Sequence, residues 1–135
     1  MNASDLDGES AAARRLVDAL AAKDYRAIYG ALATDTRFRY LVPRGPGELV
    51  GAADVAAKYF QWFGDADPIT VEDINVKRVA DRISARYRFV LRKPDGWKVI
   101  EQQTYLDVDE KGRIAAIDLL CSGFRPTRVD DEEAE

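Results

Sequence analysis

The sequence contains no histidine, and that absence excludes more than any motif in it. Gone with it are the commonest general base, the Ser-His and Cys-His nucleophile pairs, and most zinc, haem and non-haem iron sites. A single cysteine, Cys121, excludes an intramolecular disulfide. No apolar run approaches the ~18 residues of a membrane span or the core of a secretory signal, so a reducing cytoplasm is the expected location. There is no excess of positive charge: 20 basic against 24 acidic residues give a net charge of −4. No Lys/Arg cluster interleaves with aromatics either, so neither nucleic acid nor membrane is expected as a partner. Glycine-rich phosphate loops, CxxC pairs and internal repeats are missing too. Any catalysis must rest on carboxylates, tyrosine, cysteine, lysine or oriented dipoles, with no metal and no cofactor implied.

What is present is enough for one domain. A chain of 135 residues buries about two-thirds of its unfolded surface and folds without staples. From Ile83 to Gly123, three period-2 stretches follow one another with only turns between: ISARYRFVLRK, GWKVIEQQTYLDVDE and GRIAAIDLLCSG. Alternation in the first puts Ala85, Tyr87, Phe89 and Leu91 on one face and Ser84, Arg86, Arg88 and Arg92 on the other. Pro94-Asp95-Gly96 and Asp109-Glu110-Lys111-Gly112 supply the hairpin turns.

Upstream, residues 1–9 carry little apolar content and are expected to be a mobile arm, with Asp7 or Ser10 capping a helix whose Leu16, Val17 and Leu20 form one stripe. Asp24 can cap a second helix from Tyr25 to Leu32. Thr36 to Val42 alternates as a first strand, closed by a loop over Pro43 to Gly47. A third helix is predicted over Ala52 to Phe63, and a strand over Ile69 to Val79 with an irregularity at Glu72-Asp73. The domain is expected to span 10–126. Five of the last six residues are acidic, so 127–135 reads as a disordered acidic tail.

The order helix, helix, strand, helix and long antiparallel sheet resembles the nuclear transport factor two-like superfamily. The similar segments are LAAKDYRAIYGALATDTRF, GAADVAAKYFQWF and VDEKGRIAAIDLL. That superfamily includes ketosteroid isomerases, SnoaL-like polyketide cyclases, limonene epoxide hydrolases and scytalone dehydratases. The resemblance implies an α+β, cone-shaped barrel: a curved, mainly antiparallel sheet with three N-terminal helices packed in its concave side. Laid on the ketosteroid isomerase pattern, the catalytic positions fall on Leu16, Tyr40 and Thr104, none of which has the required group. The SnoaL-like pattern fits better. Its pocket glutamine matches Gln102, its histidine falls on Thr104, and its catalytic aspartate falls on Leu119. The adjacent Asp118 would reach the pocket only through a β-bulge near Ala115 to Asp118, because a one-residue shift turns a strand side chain to the other face.

The same registration turns Tyr87, Phe89, Ile100, Gln102, Thr104, Leu119 and Cys121 to the concave side, with Tyr40 and Tyr59 closing it. Arg86, Arg88, Glu101, Gln103, Tyr105 and Asp118 turn outward, on a face that in the superfamily is commonly a homodimer interface. The expected catalytic set is therefore Tyr40, Gln102 and Thr104, with Asp118 as a base only if bulged inward. The expected ligand pocket adds Tyr59, Trp62, Tyr87, Phe89, Leu119 and Cys121. Two functions follow from the resemblance. One is a SnoaL-like enzyme that cyclises, dehydrates or isomerises a polyketide-like or other cyclic apolar metabolite using neutral hydrogen-bond donors. The other is a non-catalytic module of the same fold that binds a small apolar or aromatic ligand or a partner protein, with the same polar residues satisfied inside its core.

Overall fold

The stripe Leu16, Val17 and Leu20 is buried on a long helix, α1 (Ala3–Ala22), that packs against the sheet strands β3 (Ile69–Val79) and β4 (Arg82–Lys93). The computed structural model describes residues 3–127, with side chains from residue 8 onward. Helix α1 begins well before Ser10, so residues 3–9 are its first turns rather than a separate arm, and Asp7 and Ser10 lie within it instead of capping it. The carboxylate of Glu9 pairs with the Arg78 guanidinium on β3, which ties the added turns to the sheet. Asp24 caps α2 (Tyr25–Ala31), its carboxylate accepting the Ala27 N–H at 3.1 Å. Apart from Thr127, the acidic segment lies outside the described residues.

β1 (Leu32–Val42) is followed by β2 (Gly45–Val50), where a loop is predicted. Pro46 cannot donate to a ladder, and β2 accommodates it because it is the edge strand of the sheet. Helix α3 (Ala52–Phe63) has the predicted bounds, and so does β3, whose register slips between Val71 and Asp73. β5 (Gly96–Val108), β6 (Ile114–Cys121) and the short β7 (Arg125–Pro126) complete the sheet. Gly96 and Gly112 take φ of 126° and 79° in the two turns, a region that L side chains avoid.

The seven strands run in the order β2-β1-β6-β5-β4-β3, with β7 on β5. Every pairing is antiparallel except β1 with β6. The helices fill the concave side, giving the α+β cone. Ala85, Tyr87, Phe89, Leu91, Ile100, Leu106 and Ile117 are all buried there. Across the convex face the charges pair: Arg88 with Glu72 and Glu101, each at 3.3 Å, and Arg86 with Asp73 at 3.5 Å. Such exposed pairs contribute about 0–1 kcal/mol each, so stability comes from the buried face. No helix among the described residues is long and apolar enough to cross a membrane.

Candidate functional site

Strict alternation along β4 and β5 turns Tyr87 and Gln102 to the concave side, and the register sets Tyr87, Gln102 and Cys121 in one row across β4, β5 and β6. The three are joined. The Tyr87 hydroxyl donates to Gln102 Oε1, Gln102 Nε2 donates to Cys121 Sγ at 3.4 Å, and the Gly123 N–H donates to the same sulfur at 3.3 Å. Tyr59 on α3 descends on this row from above and is fully buried. Its hydroxyl has no hydrogen-bond partner among the described residues. The Tyr87 hydroxyl is near enough to ease its ionisation but stands outside hydrogen-bond geometry. Burial, above all, raises the pKa of both tyrosines, with Cys121 nearby adding to the shift. Both therefore remain neutral O–H donors at physiological pH.

Thr104 lies one pair along, also buried, and its Oγ1 donates to the Ala85 carbonyl at 2.8 Å. Its proton is engaged by the sheet itself, so the structure does not support the assisting role expected of it.

Above the row, four rings interlock. Phe38 stacks on Tyr59 at 5.2 Å between centroids, and Trp62 meets Tyr40 and Tyr59 edge-on at 5.5 and 5.8 Å. Phe89 packs between Tyr87 at 5.0 Å and Phe63 at 5.6 Å. Phe89, Tyr87 and Leu119 are thus part of a core that the chain fills with its own side chains. Beside these rings opens a cleft of about 800 Å³ lined by Tyr40, Trp62, Ile100, Phe124 and the largely buried Cys121. Cys121 belongs to both regions: it lines the cleft and accepts from Gln102 in the buried row.

The walls are braced. Lys93 Nζ donates to the Trp62 carbonyl at 2.9 Å, stands 4.5 Å from the Phe124 ring centroid and pairs with Asp65. On the other wall, Tyr40 pairs with Gly47 across β1 and β2. A Cβ on Gly47 would sit 2.1 Å from Tyr40 Cζ, so the bare backbone makes room for the ring. Sequence reasoning missed Phe124, which follows the last periodic strand. It also read Gly47 only as a loop glycine, although a glycine opposite a strand aromatic is a recognisable pairing.

Asp118 does not reach the cleft. It lies on the convex face, where its two oxygens accept from Arg39 Nε and Arg82 Nη1 at 2.7 Å each. These guanidiniums, Arg39 first, hold its carboxyl below the usual range. A bulge does occur in this strand: Asp107 pairs with Ala116 but Val108 with Ile114, leaving Ala115 extra. Being upstream of Ala116, it turns Ile114 inward alongside Ile117 and leaves Asp118 outside. No described Asp or Glu lines the cleft, and no cluster of three or more potential metal ligands occurs among the described residues.

A family model described as a SnoaL-like domain matches residues 13–117. No curated protein matches the sequence. Among solved structures, the chain is similar to an LEH-like epoxide hydrolase of M. tuberculosis, with a TM-score of 0.69 and 16% identity over 96% of this chain and 90% of that one. A putative polyketide cyclase from Xanthomonas campestris pv. campestris superposes with a TM-score of 0.68 at 18% identity, over 84% and 90% of the two chains. A putative ketosteroid isomerase from Kribbella flavida gives 0.64 at 22% identity, over 92% and 87%. At these identities the likeness is one of fold.

Proposed function

Because this chain belongs to the SnoaL-like family, we propose that it binds a cyclic, largely apolar metabolite in the cleft beside the aromatic rings and acts on it by cyclisation, dehydration or isomerisation. One observation carries this reading. A fully buried tyrosine hydroxyl, that of Tyr59, with no hydrogen-bond partner among the described residues, lies beside a hydrogen-bonded row that meets the cleft at Cys121. A buried polar group left unpaired costs about 1–3 kcal/mol, and a fold that keeps one has a donor to offer.

Tyr59 supplies that donor to a carbonyl or enolate oxygen, while Gln102 fixes the Tyr87 hydroxyl alongside. Tyr40 and Trp62 hold the ring system. Preorganised neutral donors in a water-poor site stabilise developing negative charge without reorganising. With no histidine in the chain and no described carboxylate in the cleft, the protein contributes donors rather than a base. The substrates that suit it carry an acidic C–H, such as a β-dicarbonyl, whose proton can pass to water. Reaching Tyr59 requires the ring of Tyr40 or Trp62 to swing aside.

A thermal-shift series with aromatic polyketides, cyclic ketones and lactones tests the cleft. A ligand at 100 times its Kd stabilises by about 2.7 kcal/mol, a rise of several degrees for a domain of this size. Silence across the whole series would sink the reading. The absence of a cleft carboxylate favours a second reading, a binding module of the same fold. It would show the shift with no turnover of any compound that binds.

On the convex face we propose pairing with a second copy. Leu41 and Leu120 lie opposite one another across β1 and β6 and are about half exposed, at 48% and 57%. Their charged neighbours Arg39, Arg82 and Asp118 already satisfy one another. The protein should run as a dimer by light scattering, and Leu120→Glu should convert it to a monomer. A wild-type monomer at tens of micromolar would remove the proposal.

A further inference from the structure

The opening of the cleft carries charge of one sign. Arg44 from the β1–β2 turn, Lys58 from α3 and Arg125 from β7 line it, and no Asp or Glu is among the described lining residues. In a chain whose net charge is −4, three cations around one opening without an acid are not the average surface. On the convex face several arginines are paired: Arg39 and Arg82 share Asp118, Arg86 meets Asp73, and Arg88 meets Glu72 and Glu101. At the rim, neither Arg44 nor Arg125 forms an ion pair with a described residue. Lys58 donates to Gln61 Oε1 at 3.0 Å and stands 5.6 Å from the Tyr40 centroid, so its ammonium is held over the aromatic wall rather than neutralised.

We infer that the ligand of this cleft bears a carboxylate on its ring system, bound at the rim by Arg44, Arg125 and Lys58 while the rings lie between Tyr40, Trp62 and Phe124. This rests on the cleft being the ligand site, as proposed above. Guanidinium groups suit the task because their planar donors match a carboxylate bidentately and shed water more readily than an ammonium does. Like-signed charge around a low-dielectric mouth also draws anions in from solution. The site is thereby divided: an anion clamp outside, aromatic walls within, and the neutral donor of Tyr59 beyond them.

Isothermal titration of the full chain with 2-naphthoate, 9-anthroate and 1-pyrenecarboxylate, each beside its methyl ester, tests the inference. The acid of at least one pair should bind about tenfold more tightly than its ester at low ionic strength. That advantage should shrink as salt shortens the Debye length from about 10 Å to about 3 Å. The double variant R44Q/R125Q, altered at two exposed side chains, should keep the wild-type Tm and lose most of the preference for acid over ester, leaving only the share due to Lys58. Equal binding of acid and ester to the wild type would overturn the anion clamp and leave the cleft as a ligand site. No binding of any acid or ester would overturn the clamp together with the cleft reading on which it rests.

Discussion

Replacing Tyr59 with phenylalanine is expected to make the protein more stable and less active. The ring stays in place, stacked on Phe38 and edge-on to Trp62. Only the hydroxyl is lost, and it is fully buried with no hydrogen-bond partner among the described residues. Removing an unsatisfied buried polar group returns its desolvation penalty, on the order of 1–3 kcal/mol, which raises Tm by about 3–4 °C per kcal/mol in a domain of this length. If that hydroxyl is the donor to the developing oxyanion, turnover should fall by about 10²–10³. Calorimetry and a turnover assay on any compound found to bind would read both effects. A loss of stability with unchanged ligand affinity would mean that a buried water satisfies the hydroxyl, and that Tyr59 is packing alone.

Gln102→Leu should have the opposite sign in stability. Its amide accepts from Tyr87 and donates to Cys121, so the substitution strands a second buried hydroxyl in a site closed to solvent. The expected cost is about 1–3 kcal/mol, seen as a fall of several degrees in Tm, with a tenfold or greater loss of turnover as the row beside the Tyr59 hydroxyl loses its order. Adding Tyr87→Phe removes the stranded hydroxyl. The double variant should therefore recover much of the lost stability, the non-additivity expected of contacting residues. Simple additivity would show that the two side chains do not act as a unit.

Much of this arrangement is legible in the sequence wherever periodicity is strong. Val55, Tyr59 and Phe63 recur at helical spacing, and α3 occupies Ala52–Phe63 with those residues buried. The alternation of Ala85, Tyr87 and Phe89 places the inward face of β4, and Glu72-Asp73 marks the slip in β3. What periodicity does not carry was missed. The Pro43-Arg44-Gly45-Pro46-Gly47 run reads as a turn, yet an edge strand tolerates its second half, so β2 appeared only in three dimensions. A bulge near Ala115 to Asp118 enters the sequence reading only as the condition for an inward Asp118; the one that occurs, at Ala115, lies upstream and keeps Asp118 outside. Thr104 sits on the face assigned to it, but the hydrogen bond to Ala85 that occupies its hydroxyl depends on backbone geometry that no spacing specifies. Arg44, Arg125 and Phe124 reach the cleft from a turn, a two-residue strand and a connector, segments with no repeating pattern to read.

The parallel pairing of β1 with β6 also bears on how the chain comes together. Arg39 and Asp118, bonded across that seam, are 79 residues apart, whereas β3 to β6 succeed one another as antiparallel neighbours. The local meander can zip up early, but the seam must wait for a long loop to close, an entropic cost met before any contact rewards it. During synthesis β1 can pair with β2 at once, but its other edge waits until β6 leaves the ribosome. Tyr40 from β1 and Cys121 from β6, which both line the cleft, meet only at that last step, so the cleft is among the final parts of the molecule to exist.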